Sequence, residues 1–233
     1  MKKIFFALLC FVSTKSFSQI KIGIEGGYNA ASFAQAGASS ATAYRMFPSS
    51  ISTFNAGIVS EIPLGKKIFL QPGLLYFGNG AQIVEKGGES GYEGYAHSTI
   101  RLYYLRLPVN VVYMMNLNNH FKFLAGAGLY AAKGLSGTVK GNSEGMSPFA
   151  GPNAYAFNYR VDFSKDKVYS SQNSTFINAF DFGFNVLAGL EFKCFQLTAK
   201  YSRSFSEIYS YDGYNYKNAL FEFSLAYLFS LKK

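Results

Sequence analysis

Between Phe180 and Phe192 apolar and polar positions alternate. Phe180, Phe182, Phe184, Val186, Ala188, Leu190 and Phe192 are apolar; Asp181, Gly183, Asn185, Gly189 and Glu191 are small, polar or acidic, with Leu187 the exception. Successive strand side chains point to opposite faces, so this period of two predicts a strand with one greasy and one wet side. The run is longer than most globular strands and suits the roughly 9–11 tilted residues that cross a bilayer.

The pattern recurs along the chain. Ile20, Ile22, Ile24, Gly26 and Tyr28 alternate with Lys21, Gly23, Glu25, Gly27 and Asn29. Further strands are predicted over 53–64, 67–83, 98–115 and 120–133, then at the opening stretch, at 195–202 and at 218–229. Short turns are expected at Gly65-Lys66, Asn116–Asn119 and Lys193-Cys194, and a moderate one around Asp212-Gly213. Aperiodic segments at 34–52, 84–97 and 134–174 read as loops. The result is eight strands in one domain whose connections alternate long and short. That asymmetry suits an outer-membrane barrel with short periplasmic turns and longer extracellular loops. The expected fold class is all-β: a closed, antiparallel, up-and-down transmembrane β-barrel.

Which face meets lipid follows from side-chain size. The apolar face is rich in phenylalanine (Phe180, Phe182, Phe184, Phe221, Phe223, Phe229), and the other is rich in glycine, asparagine and scattered charge. An eight-strand barrel has an interior only wide enough for its own side chains. Rows of phenylalanine would not fit there; small residues and paired charges would. Glu25, Glu61, Arg106, Lys122, Asp181, Glu191, Lys200 and Glu222 all fall on the proposed inner face, five acids against three bases. Buried charges persist when paired and hydrogen-bonded, so these eight are expected to form a compensating lumen network. Phe184→Arg is expected to impair membrane assembly far more than Asn185→Ser. Tyr28, Tyr76, Tyr103 and Tyr201 fall near strand ends, as an interfacial aromatic girdle requires.

The first residues change the compartment. Lys2 and Lys3, an apolar core from Ile4 to Val12, and Ser16-Phe17-Ser18 before Gln19 read as a signal peptide over 1–18 cleaved after Ser18, leaving 19–233 as the barrel domain. Leu9 is too bulky for Cys10 to suit a lipoprotein acceptor. Cleavage would leave Cys194 alone, with no intrachain disulfide. The formal charge of +9 falls to +6 once Lys2, Lys3 and Lys15 are lost. Without a clustered basic stripe it is a surface property that suits outer-membrane lipid and lipopolysaccharide as partners, and not nucleic acid.

The chain also resembles the small outer-membrane β-barrel family of Bacteroidota called PorT-like. The resemblance rests on Gln71-Pro72-Gly73-Leu74-Leu75-Tyr76, Tyr104-Leu105-Arg106-Leu107-Pro108-Val109, Gly126-Ala127-Gly128, Phe180-Asp181-Phe182-Gly183 and Lys200-Tyr201-Ser202. It implies an eight-strand outer-membrane barrel, with some relatives linked to a secretion apparatus and hence to other envelope proteins. Pro72 and Pro108 fall inside predicted strands, where proline is expected only at edges or bulges.

Candidate chemistry is sparse. Gly126-Ala-Gly128-Leu-Tyr-Ala131 matches a dinucleotide fingerprint on paper, but no helical period follows to receive a pyrophosphate. His97 and His120 have no Cys or carboxylate at ligand spacing, so no metal or other cofactor is expected. His97-Ser98, at the outer end of a strand, is the one place for a lipid-modifying enzyme's catalytic groups, and a carboxylate within reach of His97 would mark it. The aromatic segment with Phe149, Tyr155, Phe157, Tyr159, Phe163 and Tyr169 reads as a recognition element, a cap over the mouth, or a loop with extended strand ends. The favoured reading is a non-enzymatic outer-membrane barrel; the alternatives are an outer-membrane lipid-modifying enzyme and a soluble exported ligand-binding barrel.

Overall fold

A computed structural model describes residues 20–36, 44–87, 93–147, 151–164, 174–211 and 214–230. The expected signal peptide with Cys10, the aromatic residues Phe149 and Tyr169, and the Asp212-Gly213 turn lie outside them. The described strands are β1 (Lys21–Ala36), β2 (Tyr44–Ser49), β3 (Ile51–Pro63), β4 (Ile68–Gly87), β5 (Glu93–Asn116), β6 (Phe121–Ser147), β7 (Gly151–Ser164), β8 (Ser174–Asn178), β9 (Phe180–Phe192), β10 (Phe195–Ser204), β11 (Tyr209–Tyr211) and β12 (Tyr214–Ser230).

Eight of these form a ring. From β1 the pairing runs through β3, β4, β5, β6, β9, β10 and β12 and back to β1, antiparallel throughout. Each ring strand has a neighbour on both sides, so the ring itself has no open edge. Followed once around, the partner residues climb from the level of Lys21 to that of Ala31, a stagger of about ten residues that tilts the strands by roughly 40°.

One end of the ring is closed by tight turns. Ile68 O accepts from Leu64 N–H and Gly65 N–H at 2.9 and 3.1 Å. Asn118 Oδ1 accepts from His120 N–H and Phe121 N–H at 2.9 and 2.8 Å, the side chain mimicking a backbone turn. Lys193 takes a positive φ of 55° in the third turn.

Alternation is carried into burial. Outward side chains such as Ile24, Ile58, Leu107, Leu129, Leu197 and Phe223 are more than half exposed, while Glu25, Asn55, Arg106, Asn185 and Glu222 on the other face are buried. The phenylalanines expected outside are there: Phe180, Phe182, Phe221, Phe223 and Phe229 are exposed, and Phe184 is half-buried.

The far end departs from expectation. Residues 34–52 and 84–97 are not simply loops: β1 runs to Ala36, β2 pairs with β4, β4 runs to Gly87 and β5 starts at Glu93. Within 134–174, the described residues are not irregular either. β6 continues to Ser147, leaves β9 above Lys133 and pairs with β7, which pairs in parallel with β8. A bulge hid this: the register with β5 shifts between Tyr103 and Tyr104, so Leu135 is an extra residue. Leu135 and Ser136 both face outward and the polar–apolar parity reverses above them, with Gly137 and Val139 buried where Lys133 had been exposed. Phe157, Tyr159 and Phe163 of β7 pack on a buried cluster that includes Phe33, Ile83, Leu102, Tyr104, Val161, Ile177 and Tyr216. The interior at this end is therefore an apolar plug with rings in it, contrary to the expectation of small residues throughout. Tyr155, by contrast, is exposed.

Pro72 and Pro108 leave the register intact. β4 and β5 pair in one register above and below them, skipping only Gly73 and Leu74. Gly73 lies against Pro108, whose Cγ would be 3.3 Å from a Cβ there, so a glycine makes room for the ring.

Candidate functional site

The residues that chemistry singles out lie inside the ring, and strand register places them. Three acid–base pairs are direct cross-strand partners: Lys21 with Glu61, Lys122 with Glu191, and Lys200 with Glu222. Inward parity turns each pair towards the axis, where they join into two charge clusters and one neutral-partnered acid.

The cluster nearest the tight turns centres on Lys21. Its Nζ lies 2.9 Å from Glu61 Oε1 and 2.8 Å from Glu191 Oε1, and Lys122 Nζ lies 2.9 Å from the same Glu191 oxygen. Gln71 Nε2 donates to Glu61 Oε2 at 3.2 Å and to Gln196 Oε1 at 3.3 Å. Lys122 is partly exposed at the mouth, where Asn116, Asn118, Asn119, His120, Lys122, Glu191 and Lys193 line an open cleft of about 730 Å³.

Further in, Lys200 Nζ sits between Glu25 Oε1 at 2.5 Å and Glu222 Oε1 at 2.7 Å. Ser224 Oγ donates to the same Glu222 oxygen at 2.9 Å. Arg106 spans the lumen: Nη1 lies 3.8 Å from Glu222 Oε2, and Nη2 donates to Ser202 Oγ at 2.9 Å and to Asn185 Oδ1. Its guanidinium lies over the rings of Tyr130 at 3.7 Å and Phe77 at 4.4 Å. Those faces are attractive to a cation and exclude water from it. Asn185 Nδ2 donates to Asn110 Oδ1 at 2.9 Å, and Ser202 Oγ to Asn185 Oδ1 at 2.9 Å.

Asp181 differs. Its partners among the described residues are neutral: Tyr130 Oη donates at 3.2 Å, Ser206 Oγ and Asn218 Nδ2 at 2.8 Å, and Ser204 Oγ closes the set. Several short donors can hold a buried carboxylate without a cation.

The eight expected lumen charges thus all lie inward, seven in the two clusters and Asp181 in its own shell. Lys21 is a ninth lumen charge outside the expected set, although it shares the parity of Glu25. Between the clusters the interior is filled. The enclosed cavity near Gln71, Gln196 and Lys200 has about 20 Å³, room for one water.

His97 meets Gln82 through its Nε2 and has no carboxylate partner among the described residues. His120 is exposed in a turn. Gly126 and Gly128 lie in the middle of β6, where a Cβ would strike the β5 backbone. Among the described residues no group of His, Cys, Asp or Glu is placed to hold a metal ion. One feature escaped sequence reasoning: a groove of about 560 Å³ on the outer surface beside the β6 bulge, lined by Tyr103, Gly134–Thr138 and Arg160–Phe163. Its signal in the sequence is the parity reversal just beyond Lys133.

An antiparallel ring with an apolar outside and a polar, filled inside is the construction of an outer-membrane β-barrel. The chain belongs to the family described as outer membrane protein beta-barrel domain, whose model matches residues 13–210. It accordingly lies in the outer membrane. No curated protein matches the chain. Among solved structures it is similar to the attachment invasion locus protein Ail of Yersinia pestis (14% identity, 91% of this chain and 99% of that one, TM-score 0.36). It is likewise similar to OprG of Pseudomonas aeruginosa (12%, 91% and 96%, 0.46) and to the outer membrane protease OmpT of Escherichia coli (10%, 94% and 100%, 0.45). Scores this low carry no argument, and the assignment rests on the family match.

Proposed function

We propose that the chain is a closed, packed eight-strand transmembrane barrel with no enzymatic activity of its own, which displays the β6–β8 end outside the cell as a structural element or an accessory to an envelope complex. The observation that carries this reading is the pairing of an uncharged apolar outer band with a lumen filled by mutually compensating charges. A filled lumen suits a rigid anchor; water-filled pores need about 16 strands. The tight turns mark the periplasmic end and the longer strands the extracellular one.

Residues 1–18 act as the cleaved signal peptide, so the mature protein begins at Gln19, and N-terminal sequencing of membrane-extracted protein tests this. Outer-membrane lipid and lipopolysaccharide are the immediate partners. The PorT-like affiliation, with its link to secretion, rests on the short motifs around Gln71, Tyr104 and Phe180. Membrane fractionation with heat-modifiable gel mobility tests the barrel, and pull-down from envelopes tests the accessory role. A protein found in the soluble periplasmic fraction would favour the ligand-binding alternative. Lipid hydrolysis or acyl transfer lost in His97→Ala would favour the enzyme.

A further inference from the structure

The lipid partnership just proposed gains a definite site in the groove beside the β6 bulge. Arg101 on β5 is the register partner of Thr138 on β6, and Thr138 of Arg160 on β7. All three are exposed on the same outer face. Cross-strand Cβ atoms lie about 5 Å apart, so the Cβ atoms of the two arginines flank Thr138 at a spacing of roughly 10 Å. The groove runs beneath them, with Arg160 in its wall and Tyr103 and Leu135 at its edge. Lys133, also exposed, stands one turn of the pleat below the bulge.

Position gives these cations their meaning. From the tight turns upward, the outward positions of the ring strands carry no charge until Lys133 and Arg203, and Tyr103 stacks on Tyr76 at 5.4 Å where the apolar band ends. The groove therefore opens at the level of the outer-leaflet headgroups, continuous with the hydrocarbon-facing surface below. The lining itself holds one cation, Arg160, and one carboxylate, Asp162; Arg101 and Lys133 stand exposed beside it and tip the balance to positive. Guanidinium groups match phosphate oxygens bidentately, and a headgroup zone of lowered dielectric strengthens that bond.

We propose that this groove binds the phosphorylated sugar headgroup of an outer-leaflet glycolipid, with Arg101 and Arg160 on phosphate and Leu135 and Tyr103 against the top of the acyl chains. The inference rests on the outer-membrane barrel reading and is separable from it, because assembly is read by heat-modifiable mobility and binding by a different measurement.

The test uses the full mature protein in lipid nanodiscs and a fluorescent bis-phosphorylated diglucosamine lipid (lipid A) as probe. Wild type is expected to retain it. Arg101→Gln with Arg160→Gln should weaken retention by roughly tenfold or more, while Lys66→Gln with Lys67→Gln at the opposite rim should not. On wild type alone, dephosphorylated lipid A and phosphatidylglycerol should both compete poorly. Equal loss in the two double variants would assign the effect to net charge and overturn the proposal. So would equal competition by phosphatidylglycerol or by the dephosphorylated lipid. If the arginine variant fails to assemble, the wild-type competition decides. An assembled barrel that ignores lipid A would leave the barrel reading standing and this one refuted.

Discussion

Asn185 and Phe184 are neighbours in sequence, and their environments reverse the expected ranking of their substitutions. Phe184 pairs across the ladder with the exposed Arg203 and stacks on Phe205 at 5.6 Å, so it sits at the upper rim of the apolar band. A charge near an interface costs only about 0–1 kcal/mol, against roughly 2–4 kcal/mol at the midplane. Asn185 instead accepts from Arg106 and Ser202 and donates to Asn110. Asn185→Ser removes one acceptor from a buried guanidinium and leaves Asn110 without its donor, and should cost about 1–3 kcal/mol, as much as or more than Phe184→Arg. Leu225→Arg is the better membrane probe, because Leu225 lies mid-band in a row with Leu197 and Leu190. It should lower folding yield in vesicles well below either. Lys200→Met should cost about 3–5 kcal/mol by leaving Glu25 without its cation and Glu222 with Arg106 and Ser224 as its remaining partners. Adding Glu25→Gln should recover most of that loss, since Arg106 still faces Glu222. Urea titrations in vesicles read both. Lys193, at φ 55°, holds a conformation costly to any residue with a Cβ, so Lys193→Gly is expected to raise the unfolding midpoint slightly.

At the scale of elements, β6 shows what the sequence reveals and what it hides. From Phe121 to Lys133 the period of two is regular, and the strand, its lipid face and the lumen position of Lys122 are legible. At Leu135 the bulge places two residues on one side, and a strict alternation test stops there. Above it, strands face water on one side and a plug on the other, so Val161 and Ile177 are buried with no bilayer-length pattern to announce them. The inner rings Phe33, Phe77 and Tyr104 are inward although apolar, and Phe77 and Tyr104 stand directly beside outward apolar residues, so alternation alone does not place them. Deleting Leu135 should be tolerated, because the ladder becomes continuous while Gly134 and Gly137 keep their faces. Deleting Leu129 should abolish assembly, since every side chain beyond it on one side of the cut would turn to the wrong face. Heat-modifiable mobility of the two deletions separates these outcomes.

For the whole molecule, a ring of eight strands with a stagger of about ten residues leaves no bore. Charge clusters fill it near the tight turns and through the middle, and rings fill it beyond. Reconstituted in planar bilayers, the protein is expected to show no stepwise conductance above that of lipid alone. The clusters also explain how a chain carrying a formal +9 can keep a neutral lipid surface: its lumen charges cancel one another, and the surplus stands at the rims. Because the long-strand end is stopped, among the described residues, by Phe33, Tyr104, Tyr216 and their neighbours while Lys122 and Glu191 open on the cleft at the tight-turn end, the interior is a blind alley entered from one side. Deuterium should therefore reach the backbone amides around Glu191 sooner than those around Asp181, and in the proposed orientation a change in the medium outside the cell should be felt by the inner charges only after it has passed into the periplasm.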